Sequence, residues 1–503
     1  MELYVSEFSK YVITLLITLY TYECFAVFRY DNEEARNGIY IRQNILMFAF
    51  HFCSFLVICF ETGDFTYLFF YAFQQILLFT AIVLYRMMYP KANRLIVNNM
   101  CMLLSIGFVI LTRLDMKKAV KQFIIVAGSL AIALLIPFLI EKMRFLKNLK
   151  WIYAAVGILA LSVVLILGQT TYGSKLSYSI GGVTFQPSEF VKILFVFFVA
   201  SALYESSGFL EVFTTAVVAA AHVIVLVISK DLGSALIFFV VYVLMVYVAT
   251  KNLLYVLVGA GGGAAAAYLA FRVFRHVQVR VQAWKDPWSV IDSAGYQITQ
   301  SLFAISSGGF FGLGLYKGTP ESIPTVEADF IFSAIAEELG ILFAVCLILI
   351  CVSCFIMFMN ISIRLNDKFY QLIAFGLGVI YIFQVFLTIG GGTKFIPLTG
   401  VTLPLISYGG SSVLTTLMMF AIVEGLYVLR QKEIEEQLRL KRRRRPDTPN
   451  GAGRRRPATE RPVRADRQDR SGRLARPSYD EDDDFIEDWN EPENEGEEFE
   501  GEE

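Results

Sequence analysis

Apolar runs of about 20 residues recur from near residue 10 to near residue 429, and this recurrence constrains the chain more than any other feature. A hydrocarbon core of about 30 Å takes about 20 helical residues per crossing, and a soluble core has no room for so many such segments. About thirteen candidates can be marked, near 10–28, 44–60, 66–85, 99–112, 122–140, 151–168, 187–205, 213–229, 234–249, 253–271, 329–358, 369–390 and 404–429. With 56% hydrophobic and only 18% charged residues, the chain is excluded from the ordinary soluble class. It reads as an all-α, polytopic membrane helix bundle. The first segment has no basic n-region and no small-residue cleavage site, and further spans follow it, so it reads as a retained helix.

The 44 Lys and Arg nearly balance 45 Asp and Glu, but the charges are segregated. Residues 431–503 are packed with charge, basic to about Arg476 and acidic from Asp480, with almost nothing to bury. This segment is expected to be a disordered cytoplasmic tail. Its Asp482-Asp483-Asp484 run is superficially like a nucleotide-sugar carboxylate motif but lacks a surrounding α/β domain. Seven cysteines fall almost entirely in apolar runs beside only three histidines, leaving little material for disulfides or zinc sites. Cys351 and Cys354, a CxxC in a long apolar helix, read as packing. Nothing points to nucleic acid.

Short basic loops favour the cytoplasm, and those at 29–43, 86–98 and 141–150 share the tail's parity. This predicts an outside amino terminus and a cytoplasmic carboxyl terminus. Two outside loops break the rule, one with Arg113, Lys117, Lys118 and Lys121, the other with Arg272, Arg275, Arg280 and Lys285. Basic loops on that side call for an anionic partner.

Charges in or bordering membrane helices cost a few kcal/mol each, which makes them site candidates. Gln186-Pro187-Ser188-Glu189 opens a span from outside, and Glu189 and Lys192 share a helix face three residues apart. Asp231 joins two spans at the same boundary, Asp329 starts another, and Glu337-Glu338 lie about 12–14 Å farther along that helix. Thr399 to Ser412, including Ser411, forms an irregular approach to the last span. Each also has a structural reading: a local ion pair for Glu189 and Lys192, helix caps for Asp231 and Asp329, polar packing for Glu337 and Glu338. Convergence of all of them on one face favours a site. The long connection 272–328 has Trp284-Lys285-Asp286-Pro287-Trp288, suited to an interface, then Ala294–Ile305 with helical apolar spacing suited to the membrane surface. Gly308, Gly309, Gly312 and Gly314 read as a flexible turn, because no P-loop lysine or preceding strand accompanies them. Gly259 and Gly261–Ala267 read as close helix packing.

GGVTFQPSEFVKI at 181–193, DLGSAL at 231–236, WKDPW with GYQITQSLFAISSGGFFGLGL at 295–315, ADFIFSAIAEELG at 328–340 and PLTGVTLPLISYGGSS at 397–412 together resemble the SEDS family (shape, elongation, division and sporulation). The resemblance covers about 99–430 and implies a ten-helix core with a large extracellular loop at 272–328, preceded at 1–98 by about three extra transmembrane helices. Ser229-Lys230, Thr388 and Thr393-Lys394-Phe395 depart from the family's text. What it implies is a peptidoglycan glycosyltransferase of the cell membrane that polymerises lipid II, with a class B penicillin-binding protein transpeptidase as partner. Asp329 then matches the essential outside carboxylate, Glu189 and Lys192 the PSE-x-x-K pair, and Asp231 the DLG acid.

A polyprenol tail suits a groove among membrane lipid and helices, and its pyrophosphate suits cations at the outer boundary. Asp329 is the expected general base, while Lys192, Arg113, Arg280 or a divalent cation would stabilise the leaving pyrophosphate. Lys285, Glu338 and Ser411 complete the expected cavity set. Asp329 can instead ligate Mg²⁺ or Mn²⁺. A lipid II flippase and a non-enzymatic transpeptidase scaffold are the alternatives; one-sided clustering favours surface chemistry over midplane transport.

Overall fold

The computed structural model describes residues 2–444 apart from 31, 143, 172–173, 181–182 and 207. Two compact units are distinguished, Met1–Arg442 and Arg443–Glu503, and everything below concerns the first. Fifteen α-helices are described: α1 (Glu2–Ala26), α2 (Glu33–Thr62), α3 (Thr66–Met88), α4 (Arg94–Leu114), α5 (Met116–Lys142), α6 (Lys150–Leu167), α7 (Pro187–Leu203), α8 (Phe209–Ile228), α9 (Leu232–Thr250), α10 (Leu253–Val273), α11 (Arg275–Lys285), α12 (Tyr296–Gly308), α13 (Ile331–Arg364), α14 (Lys368–Gly392) and α15 (Gly410–Arg444). All but α11 and α12 answer the thirteen apolar segments, and 11 are long and apolar enough to cross a membrane. Asn32, Asn93, Asp231, Asn252 and Asp367 each accept a first-turn backbone N–H, which fixes the starts of α2, α4, α9, α10 and α14.

Sequence periodicity did not anticipate the small antiparallel sheet before α7: β1 (Gln169–Thr171), β2 (Ser174–Ile180) and β3 (Val183–Phe185), in the order β1-β2-β3. Nor does the chain lose helicity at 431, where disorder was expected. Glu, Gln, Leu, Lys and Arg are good helix formers, and α15 carries them on to Arg444, supported by Lys432–Glu141, Arg439–Glu435 and Lys91–Glu435 ion pairs. The tail from 445, with Asp482-Asp483-Asp484, lies outside the described residues.

α4 is buried throughout its span, between the appended helices and the rest of the bundle. Polar side chains stitch this seam: Tyr20 donates to Asn99 (3.0 Å), Asn99 to Ser353 (3.3 Å) and Asn98 to Gln43 (3.0 Å). Such bonds hold where lipid offers no hydrophobic drive between helices. All the cysteines are free; Cys351 and Cys354 are buried. α10 buries none of its residues, and of its glycines Gly259 and Gly263 sit close against Val243 and Phe239 of α9 whereas Gly261 and Gly262 face open space. The close-packing reading of that stretch therefore holds at two positions.

α13 is 34 residues long, about 51 Å, so it outruns the hydrocarbon core. It breaks at Gly340 (φ +86°). There the 309–314 segment docks by backbone bonds: Leu313 and Gly314 donate to the carbonyls of Glu337 and Glu338 (2.9 and 2.8 Å), while Ile341 and Leu342 donate to those of Gly309 and Phe310 (3.0 and 3.2 Å). The glycine cluster is thus a pinned backbone contact and not the flexible turn expected from sequence; a Cβ on Gly312 would lie 2.2 Å from the Glu338 oxygen. α12 is helical as its spacing predicts, but its apolar face packs on protein. Ile298 and Ala304 join Phe330 and Ala334 in one small core, and Ser301 bonds Ser333 (2.6 Å).

Candidate active site

Asp329 lies in the turn just before α13. The capping residue of that helix is Phe330, without a side-chain cap bond, so the cap reading of Asp329 fails. The carboxylate instead lines a cavity of about 440 Å³ with Arg280, Trp284, Gln297, Thr325 and Gly400, and it is the one acidic side chain there. Packing on most sides pushes its carboxyl up to about 6; Arg280 opposes the rise and Glu327 adds to it. Arg280, on α11, is lowered by burial and raised in turn by Asp231 and Asp329. Its guanidinium donates to the Leu398 and Thr399 carbonyls (3.4 Å each), and the Trp284 indole donates to Lys394 O (3.1 Å). α11 is thereby tied to the irregular segment before α15.

A second cavity, of about 500 Å³, adjoins the first across a wall of Thr325, Ala328 and Gly400. Glu189, Asp231, Ser411 and Lys121 line it. Asp231 caps α9 through Ser234 N (3.1 Å) with one oxygen and accepts from Ser188 (3.0 Å) with the other, so it both caps and faces the cavity. Glu189 Oε2 takes Lys192 Nζ at 2.8 Å and Thr415 at 3.3 Å; Lys192, 1% exposed, also donates to Gln384 (3.1 Å). Ser411 Oγ accepts the Gln186 N–H (2.9 Å). The wall is stitched from two loops: Tyr408 N donates to Glu327 O (2.7 Å), and Ser407 donates to Ala328 O (2.5 Å).

Four expected site residues line neither cavity: Lys192, buried against Glu189 and Gln384 and so turned away from any leaving pyrophosphate, and Arg113, Glu338 and Lys285. Arg113 and Glu338 pair with each other (2.8 Å), Arg113 also pairs with Glu321, and the Tyr316 ring lies 4.3 Å from its guanidinium. Lys285 is exposed and lines neither cavity. The misplaced cations on the first outside loop are therefore partly neutralised within the chain, since Lys118 also pairs with Glu327 (2.6 Å). Gln384 and Gln122 escaped sequence reasoning. Gln384 holds Lys192 and Thr402 O, and Gln122 holds Ser407 O and Gly409 N. Their only signal is a lone amide within an apolar helix.

Fold and site define a polytopic membrane protein with a carboxylate and a cation facing paired cavities at one end of its helices. The family model FtsW/RodA/SpoVE, described as cell cycle protein, matches residues 93–432, which begin just before α4, and the chain belongs to that family. The peptidoglycan glycosyltransferase RodA of Mycobacterium tuberculosis strain H37Rv is 33% identical over 66% of this chain and 77% of its own. A probable peptidoglycan glycosyltransferase FtsW of Bacillus subtilis is 30% identical over 61% and 80%. Among solved structures, a chain from a study of how a peptidoglycan synthase complex coordinates polymerization and crosslinking superposes with TM-score 0.58 at 25% identity, covering 67% of this chain and 98% of that one. The rod shape determining protein RodA of Thermus thermophilus matches in fold, with TM-score 0.50 and 24% identity over 67% and 96%.

Proposed function

We propose that this chain is a peptidoglycan glycosyltransferase that polymerises lipid II at the outer face of the cell membrane, with Asp329 as general base. The observation that carries the reading is Asp329 itself: an uncapping carboxylate near neutrality, facing a cavity with Arg280 and joined by a shared wall to a second cavity. In the reaction an acceptor sugar hydroxyl attacks the donor's anomeric carbon and the carbon–oxygen bond to pyrophosphate breaks. The hydroxyl proton passes to Asp329, whose affinity near 6 suits transfer at neutral pH. Arg280, held by backbone carbonyls, balances the charge gathering on the leaving pyrophosphate.

Among the described residues no three His, Cys, Asp or Glu side chains are grouped to hold a metal. A Mg²⁺ or Mn²⁺ ion fits only with Asp329 as its one protein carboxylate and substrate pyrophosphate and water as its other ligands, an arrangement such ions accept. When bound, it would supply Lewis-acid neutralisation of the phosphates. The outside position of the amino terminus and a crosslinking transpeptidase as partner belong to the same reading, the latter supported by the synthase-complex relative.

Asn is close in shape to Asp and cannot act as base. Purified Asp329→Asn, given lipid II, is expected to polymerise at least about 10²-fold more slowly while remaining inserted and folded. Near-normal glycan synthesis by that variant would defeat the proposal.

A further inference from the structure

At the opposite end of the bundle from Asp329, the turn from α3 to α4 encloses a small cavity of about 90 Å³, lined by Ile82, Tyr85, Arg86, Tyr89, Pro90, Ala92, Arg94, Val97 and Asn98. No lining residue is acidic. Arg86 makes no hydrogen bond or ion pair among the described residues, and Arg94 donates only to the neutral Asn37 (2.5 Å). Two guanidiniums thus share one cavity without a counter-charge. Glu424, the carboxylate behind this region, accepts from Asn93 N (2.9 Å) with one oxygen and leaves the other without a partner near Tyr85; it forms no ion pair with either arginine and does not line the cavity. The Tyr85 side chain is 2% exposed, and its hydroxyl has no hydrogen-bond partner. The cavity therefore offers two guanidiniums and the Tyr85 hydroxyl, and among the described residues only the Asn37 amide oxygen accepts from them.

Two guanidiniums lining one cavity, Arg86 exposed and Arg94 half-buried, favour an anion between them. A cavity of about 90 Å³ suits a compact tetrahedral oxyanion better than an extended group. Planar guanidiniums match phosphate oxygens bidentately. By span parity the cavity lies at the end of the bundle that carries Lys91, Lys142, Lys147 and Lys432, of which Lys91, Lys147 and Lys432 pair with Glu435, Asp367 and Glu141; a negatively charged leaflet favours that end.

We propose that Arg86, Arg94 and Tyr85 form a phosphate-binding site, filled by the headgroup phosphate of an anionic phospholipid. It would clamp α3 of the appended helices to α4 of the family core. This stands apart from the proposed glycosyl transfer, because no residue of the cavity lies near Asp329.

The test uses the full-length detergent-purified protein, stripped of lipid, and native mass spectrometry with thermal melting. Phosphatidylglycerol, phosphatidylcholine and inorganic phosphate are added separately. Phosphatidylglycerol is expected to bind and raise Tm, and Arg86→Gln, at an exposed position that leaves the fold intact, is expected to weaken that binding about tenfold. Tyr85→Phe is expected to weaken it less. A Tm rise with inorganic phosphate alone, lost in Arg86→Gln, would keep the phosphate site and assign it a soluble source. Equal binding of phosphatidylglycerol by wild type and Arg86→Gln, or no response to either phosphate, would overturn the inference.

Discussion

Asp329 and the Glu189–Lys192 pair illustrate two opposite uses of buried charge. Among the described residues the Asp329 side chain makes no hydrogen bond, and its carboxyl sits near 6, above the ordinary value near 3.9. Polymerisation is accordingly expected to be flat above pH 6 and to fall about tenfold per pH unit below it, read from initial rates on lipid II. Because the folded pKa is raised, the folded state holds the extra proton between about pH 4 and 6, and stability declines as pH rises through that window. Asp329→Asn should therefore melt higher than wild type at pH 8, with the gap shrinking as pH falls from 6 toward 4; a lower Tm at pH 8 would contradict the origin of the shift. Glu189 and Lys192, by contrast, are satisfied by each other, Thr415 and Gln384. Lys192→Met leaves the carboxylate unpaired and is expected to cost about 3–5 kcal/mol, with the Glu189→Gln, Lys192→Met double variant recovering part of it in denaturation experiments. Strictly additive losses would mean that the two act separately.

At the level of elements, the decisive feature is the broken α13 with the 309–314 segment bonded into its break. Sequence signals the glycines but not their partner, since the contact joins positions 24 to 32 residues apart through backbone alone. Gly312, at φ +79° with no room for a Cβ, is the sharpest test. Gly312→Ala is expected to lower stability by more than about 3 kcal/mol and to disturb both the Arg113–Glu338 pair and the start of α13, next to the turn that carries Asp329. Thermal melting would register the first effect and lipid II turnover the second. A normal Tm would show that the segment does not depend on this close approach. The same docking explains why Arg113 and Glu338, plausible site residues by position, serve to hold this joint.

Across the whole molecule, α15 begins at the cavities with Ser411 and runs about 48 Å to Arg442, where the first unit ends. On the span-parity expectation of a cytoplasmic tail, a stop codon after Arg444 is expected to leave polymerisation by the correctly inserted protein intact. Loss of activity with insertion intact would tie the tail to catalysis.

The placement of the thirteen apolar helices, 11 of them long and apolar enough to cross a membrane, and the gathering of Asp329, Glu189, Asp231 and Ser411 at one boundary, were legible in the sequence, because apolar length and span parity are local properties that lipid enforces directly. The approach of Arg280 to Asp329, the common wall between the two cavities, the roles of Gln384 and Gln122, and the diversion of Arg113 to Glu338 were not. Each depends on which helix faces which, and an apolar solvent leaves that choice to packing and to buried polar bonds between residues far apart in the chain.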